Sequence, residues 1–328
     1  MASGHSVQTI VRGGTRGDPA QVSLKFWTLG LAEWAEVTQD VGDFLARWAV
    51  DPFIAGNLVA IGALYLWAAR RVTRRNPRMP WRKVSTACFM SGLALIAIAY
   101  LGPLPAWSHT FFWAHMTQHL VLMMAAAPLL VLGSPIWLWF RVSDDRARRR
   151  VVVPVLRSRV VEVATNPVFT WILFAGVLLG AHFTPFYDWA LRNHDADMFI
   201  EQPLFLGAAL LYYWPVLGRD LLPHRTKASH RFVSMSAMMI PEALVGAVIY
   251  FSPVILYSAF AVADRPFGPG ALDDQKLAGG LMWALVMVVE SFWMMWMATE
   301  FFRSEEGRSH RVDAEIAAEI ALAARTTQ

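Results

Sequence analysis

The sequence has little charge and almost no cysteine. Only 16% of its 328 residues are Asp, Glu, Lys or Arg, while 56% are hydrophobic and the mean hydropathy is +0.39. A soluble domain of this size carries more charge, so the composition indicates an integral membrane protein with the lipid bilayer as its surroundings. The single cysteine, Cys88, excludes an internal disulfide framework and a CxxC metal or redox site within one chain. No P-loop, GxSxG or HExxH pattern occurs, so ATPase, serine-hydrolase and zincin chemistry have no signature. The first residues are polar, with no apolar stretch of the kind a cleavable signal peptide requires. The net charge is only +4. Arg and Lys are confined to short runs beside apolar segments, which read as topology signals and not as a nucleic-acid patch.

What is present is a succession of apolar segments. Residues 1–25 are polar and are expected to be disordered. Over Leu31–Trp48, apolar residues at helical spacing alternate with Glu33, Glu36, Asp40, Asp43 and Arg47. That pattern predicts an amphipathic helix, lying on the membrane or packed on a partner subunit. Asp51-Pro52 supplies a cap and a first-turn proline. Seven spans follow, at roughly 53–69, 85–104, 111–132, 167–187, 200–217, 232–260 and 277–302. Pro241 and Pro253 predict kinks in the sixth. The expected fold is therefore an all-α integral membrane protein of seven transmembrane helices. Its parts are an N-terminal region with an amphipathic interfacial helix (1–50), a membrane domain (51–303) and a charged tail (304–328).

The loops after spans one, three and five and the tail are rich in Arg and Lys, and those after spans two, four and six are poor. The positive-inside rule then places the N-terminus outside and the C-terminus in the cytoplasm. Seven spans with this orientation also describe opsins, but a retinal Schiff base needs a lysine in span seven, and none follows Lys276.

The central motif is His115-Met-Thr-Gln-His119, followed by an almost wholly apolar run. Histidines four apart share one face of a helix. Imidazoles are costly in lipid and mark a candidate functional site facing the protein interior. With span three running inward, the two lie roughly 6 and 12 Å below its outer end at about 1.5 Å per residue. His182 ends span four at a similar depth. The outer loops add His109, His194, Asp195, Asp197, Asp273 and Asp274, and Glu201 opens span five. The histidines in and near the spans thus gather on the outer side.

Metal binding is the chemistry that fits best. Two imidazoles at i, i+4 can chelate one ion, and His182 can complete a three-coordinate site. The alternative is an interhelical hydrogen-bonded pair. Imidazole suits copper, zinc, iron and nickel, and fifteen methionines tilt the choice towards Cu(I). Asp274, Glu201, Asp197, Met116 and Met198 can orient those ligands by hydrogen bonding or add to them, although methionine in an apolar span is usually packing. Glu242 and Glu290 lie inside spans six and seven. They read either as a proton or ion relay or as a structural hydrogen-bonded pair. His115 and His119 cannot both serve one haem, but one of them could do so with His182. A haem-binding redox protein and a metal-ion or proton transporter are therefore the competing functions.

Four stretches carry a resemblance. They are His115–His119 with Ala127-Pro128-Leu-Leu-Val-Leu-Gly133-Ser-Pro135; Asn166-Pro167 through His182-Phe-Thr-Pro-Phe-Tyr187-Asp188; Tyr213-Trp-Pro215-Val-Leu-Gly218; and Asp274-Gln275-Lys-Leu-Ala-Gly279-Gly-Leu-Met282-Trp283. In this order they resemble the bacterial CtaG family linked to assembly of caa-type cytochrome c oxidase. That family is distinct from the cysteine-using, single-span copper chaperone of the same name. The resemblance covers roughly residues 85–302. It implies a multi-pass protein of the bacterial cell membrane, required for oxidase maturation and performing no turnover chemistry. Its implied partners are the haem–copper catalytic subunit and a periplasmic copper donor, and its implied cargo is copper for insertion into that subunit. Members of the family often carry histidine near the start of span five. Here that region reads Asp197-Met198-Phe-Ile-Glu201-Gln202-Pro203, so this chain either replaces that imidazole with carboxylate, amide or thioether or lacks the ligand.

Overall fold

A computed structural model describes residues 41–218 and 227–326, and divides the chain into two compact units, Met1–Ala46 and Arg47–Gln328. The polar segment 1–25 and most of the expected amphipathic helix lie outside the described residues; 41–46 are helical. The described residues of the second unit contain helices and no strand. Its main helices are α1 (Pro52–Arg75), α2 (Lys83–Leu101), α3 (Phe112–Leu120), α4 (Ala127–Leu132), α5 (Pro135–Val142), α6 (Pro167–Phe183), α7 (Pro185–Arg192), α8 (Gln202–Leu217), α9 (Ala228–Phe251) and α10 (Ala271–Thr326).

The helix starts follow local chemistry. The Asp51 carboxylate accepts the amides of Phe53 and Ile54, with Pro52 in the first turn. Asn166 does the same for Val168 and Phe169 ahead of α6. Each cap satisfies amides that a helix start leaves open. Arg74 and Arg75 close α1, where the helix dipole favours positive charge. Outward faces are apolar: Leu64, Val168, Ile240, Val288 and Phe292 are all exposed. Such a belt would be a liability in water and is the natural surface against lipid. The protein is a multi-pass membrane protein.

Five helices are long and apolar enough to cross a membrane: Pro52–Arg75, Lys83–Trp107, Phe112–Val142, Ser229–Phe251 and Ala271–Thr299. A sixth arises if Pro167–Phe183 and Pro185–Arg192 are taken together across their 72° bend. The proline explains the bend. Its ring pushes Thr184 out of the helical region, to φ −120 and ψ 166, and the Thr184 side chain caps the new helix. The expected fourth span, 167–187, is therefore broken just after His182. The expected fifth span holds the 16-residue helix α8, which continues without a break from a helical turn at His194–Ala196 and a π-helical turn at Asp197–Glu201. The stretch between the expected fourth and fifth spans, 188–199, is almost wholly helical. The sixth span ends at Phe251, ahead of Pro253, and Pro241 stays inside α9. The charged tail continues α10 as far as Thr326.

Two joints position the site. A π-helical turn, Val121–Ala126, separates α3 from α4 immediately below the histidine pair. Such turns add a residue to the helix and re-aim what precedes them. Pro128 has no N–H for the carbonyl of Met124, and the indole Nε1 of Trp293 donates to that oxygen at 3.1 Å. The second joint is the crossing of α9 and α10. A Cβ placed on Gly279 would lie 2.6 Å from the Tyr250 amide nitrogen and 2.8 Å from the Gly246 carbonyl oxygen. The two backbones therefore touch, which only glycine allows.

Candidate metal centre

The carboxylate of Asp274, on α10, begins the site. Its two oxygens accept the amides of Phe112 (2.8 Å) and Trp113 (2.9 Å), the first two of α3, and Arg265 Nη2 lies 3.4 Å away. It caps the histidine-bearing helix from another part of the chain, where its negative charge also suits the helix dipole. From the opposite side, Gln118 Nε2 donates to the Ala99 carbonyl on α2 at 2.8 Å. Helix α3 is thus fixed at its start and along its flank.

On that helix, His115 and His119 turn their Nε2 atoms together, 2.7 Å apart. Glu201 Oε1 completes the triangle, 3.3 Å from His115 Nε2 and 3.1 Å from His119 Nε2. All three residues are buried. A neutral imidazole has one N–H and one lone pair. If both Nε2 atoms carried protons they would clash at 2.7 Å, so at least one lone pair points into the triangle. Nδ1 of both rings and Oε2 of Glu201 have no hydrogen-bond partner among the described residues. A cation at the centre would use all three converging atoms. Metal–nitrogen bonds of 2.0–2.1 Å at open angles separate ligand atoms by roughly 3.3–3.6 Å, so the imidazole–imidazole edge needs to widen by roughly 0.6–0.9 Å and the two edges to Glu201 by less.

His182 lies beside this triangle but outside it. Its Nδ1 is 2.8 Å from the Leu178 carbonyl, and donation there leaves Nε2 as a bare, buried lone pair without a partner among the described residues. Tyr187 joins the groups. Its ring stacks on His182 at 4.9 Å and meets His115 at 5.5 Å and His119 at 6.4 Å, and its hydroxyl has no partner among the described residues. Phe205 packs on both His119 and His182. Tyr187 was the residue to find from its motif; neither charge nor spacing distinguished it there.

The remaining candidates separate clearly. Asp197, one turn before Glu201, accepts from Gln202 Nε2 (3.0 Å) and pairs with His109 Nε2 (3.1 Å). Burial is the largest single effect and would raise the Asp197 carboxyl, but the hydrogen bond from His109 together with the nearby His115, His109 and His119 rings outweighs it and holds the group below the usual range. The same bond raises His109 above its ordinary value against the opposing effect of burial. Met116 is buried in the main core, and Met198 packs against a second cluster of α1, α2 and α4 residues. Met124, in the π turn, accepts the Tyr213 hydroxyl at its sulfur (3.3 Å). Glu242 on α9 and Glu290 on α10 are fully buried and face one another below the glycine crossing. They interact, yet none of their four oxygens makes a well-formed hydrogen bond among the described residues.

The model of the family described as cytochrome c oxidase caa3 assembly factor matches residues 63–304. The chain belongs to that family. It is also similar to uncharacterized proteins of Mycobacterium bovis and Mycobacterium tuberculosis. Each is 28% identical over 278 residues, covering 82% of this chain and 41% of theirs. A Mycobacterium leprae protein is 24% identical over 265 residues, covering 77% and 40%. The chain thus spans about two fifths of the length of the mycobacterial proteins it matches. No solved structure matches significantly. In the region where members of the family were expected to offer histidine, Asp197 to Pro203, the Glu201 carboxylate reaches both imidazoles.

Proposed function

We propose that this protein assists cytochrome c oxidase assembly by holding a copper ion, as cargo, between His115, His119 and Glu201. It takes the ion from an extracytoplasmic donor and passes it to the haem–copper catalytic subunit within the membrane. This reading includes the seven-crossing topology with the N-terminus outside, so that the start of α3 faces the donor. The observation that carries it is the buried triangle of two imidazole nitrogens and one carboxylate oxygen. The donor set favours Cu(I). A monovalent ion, two neutral imidazoles and one carboxylate sum to zero charge, the least costly state in an apolar interior. A divalent ion would leave one positive charge there. His182, with its free Nε2, is the ligand available when one of the three lets go, so ligand exchange can move the ion towards the recipient. No bond is made or broken in a substrate.

The test is elemental analysis of the detergent-purified protein after Cu(I) loading under reducing conditions. Copper bound by the wild type and lost from the triangle in His115→Ala/His119→Ala is the expected result. Equal copper in both proteins would make the pair structural and end this reading.

A further inference from the structure

The basic turn between α1 and α2 carries cations that the buried triangle does not use. Helix α1 is long and apolar enough to cross the membrane, and near its end Arg70 and Arg74 share one face, one turn apart. Leu66 lies a further turn back on the same face, about 6 Å deeper at 1.5 Å per residue. Grooves run along both sides of this ridge, and Leu66, Arg70 and Arg74 wall both of them. One, of about 630 Å³, passes over Ala63 and Trp67 to Arg71 and Arg75. The other, of about 840 Å³, lies between α1 and α2, with Arg82 and Lys83 at the helix start and Ala69, Ala87 and Met90 in its apolar part. No carboxylate lines either groove. Arg70, Arg74, Arg82 and Lys83 are exposed, and none has an ion-pair or hydrogen-bond partner among the described residues. The turn itself is held in shape. Thr73 Oγ1 donates to the Ala69 carbonyl (2.9 Å) and accepts the Trp81 amide (3.1 Å). Trp81 Nε1 donates to the Tyr65 hydroxyl (3.2 Å), which donates to the Gly133 carbonyl (2.7 Å). A ligand therefore meets a preformed cleft, and little ordering opposes its binding.

We propose that this ridge and its two grooves bind one anionic phospholipid carrying two phosphates, of the cardiolipin class. Guanidinium groups match phosphate oxygens with paired N–H donors, and basic pockets between membrane helices recognise such headgroups. The phosphates sit on either side of Arg70 and Arg74, one reaching Arg82 and Lys83 and the other Arg71. The acyl chains run down the apolar parts of the grooves. A lipid fits better than a soluble anion, because the cations cap apolar grooves at the end of a membrane span. Two grooves sharing one pair of arginines fit two linked phosphates better than one. The site is independent of the copper reading.

The experiment is native mass spectrometry of the full chain in detergent, with cardiolipin, phosphatidylglycerol or phosphatidylethanolamine added. The wild type should retain one cardiolipin at roughly tenfold lower concentration than phosphatidylglycerol, and should not retain phosphatidylethanolamine. Arg70→Gln/Arg74→Gln removes two exposed charges common to both grooves and should weaken cardiolipin binding by roughly tenfold or more. Arg149→Gln/Arg150→Gln removes two exposed charges from another basic turn and should leave binding unchanged. Equal cardiolipin binding by wild type and Arg70→Gln/Arg74→Gln, or equal loss in the two variants, would overturn the site. Equal retention of phosphatidylglycerol and cardiolipin would overturn the two-phosphate ligand. Displacement of the bound lipid by inorganic phosphate alone would overturn the part played by the apolar grooves.

Discussion

Two regions of this protein bury carboxyl groups completely, and they treat them in opposite ways. Near the start of α3, Glu201 has two imidazole nitrogens within 3.3 Å and Asp197 has His109 and Gln202. Lower down, Glu242 and Glu290 have each other and surroundings of Tyr212, Tyr213 and apolar side chains. A buried charge is tolerated when it is paired and is otherwise neutralised. The upper carboxyls can therefore act as anions that attract a cation. The lower two are most cheaply kept by sharing a proton. The same residue type meets two environments because its neighbours differ, and residue type alone does not distinguish them.

The largest effect that would break this comparison is loss of the lower pair's geometry. Gly279→Leu forces a side chain into backbone 2.6 Å away. It should cost several kcal/mol, about 3 or more, by separating α9 from α10. The expected readout is failure to purify as a monodisperse species. Normal yield and melting would show that the crossing adapts.

A sharper comparison exchanges the acids. Glu201→Gln removes the negative charge from the triangle while keeping its shape, and should weaken Cu(I) binding by roughly tenfold to a hundredfold. Glu242→Gln/Glu290→Gln should leave Cu(I) affinity unchanged. Competitive chelator titration of both variants checks this. Equal weakening would mean that the two regions work as one site.

The smallest effect concerns the pair of His109 and Asp197. Asp197 is held below its ordinary value near 3.8, so its contribution to stability is present above that pH and lost as pH falls through the lower folded value. His109 is raised above 6.5, so its contribution is complete below 6.5 and lost as pH rises through the higher folded value. The pair therefore stabilises most between about pH 4 and 6.5. Because His109 is partly exposed, Asp197→Asn should lower stability by no more than about 1 kcal/mol. The difference in melting temperature from wild type should shrink above that window. A constant difference at every pH would assign the loss to packing and not to the ion pair.

Much of the fold was legible because it depends on neighbours in the chain. Asp51-Pro52 and Asn166-Pro167 start helices through their own side chains, and His115 and His119 meet because helix geometry brings i and i+4 together. The break at Thr184-Pro185 was equally local, yet the apolar composition running through it led to a single expected span. The importance of Tyr187 was hidden for another reason: an aromatic in a membrane helix looks the same whether it packs against lipid or against three imidazoles.

By itself, then, the sequence determined that this is a helical membrane protein with an imidazole pair on one helix face, and both facts rest on composition and short-range periodicity; its resemblance to the caa3 assembly-factor family rests on four motifs in order. Only the tertiary structure decided what that pair meets. Glu201 lies 82 residues beyond His119, and Asp274 lies 162 residues beyond the amide of Phe112 that it accepts. His182, first in line as a third ligand by sequence, stands a ring away, and Asp274 caps the helix instead of facing the imidazoles. Such partners are chosen by how helices cross and by which backbones can touch, and no periodicity within one segment carries that information.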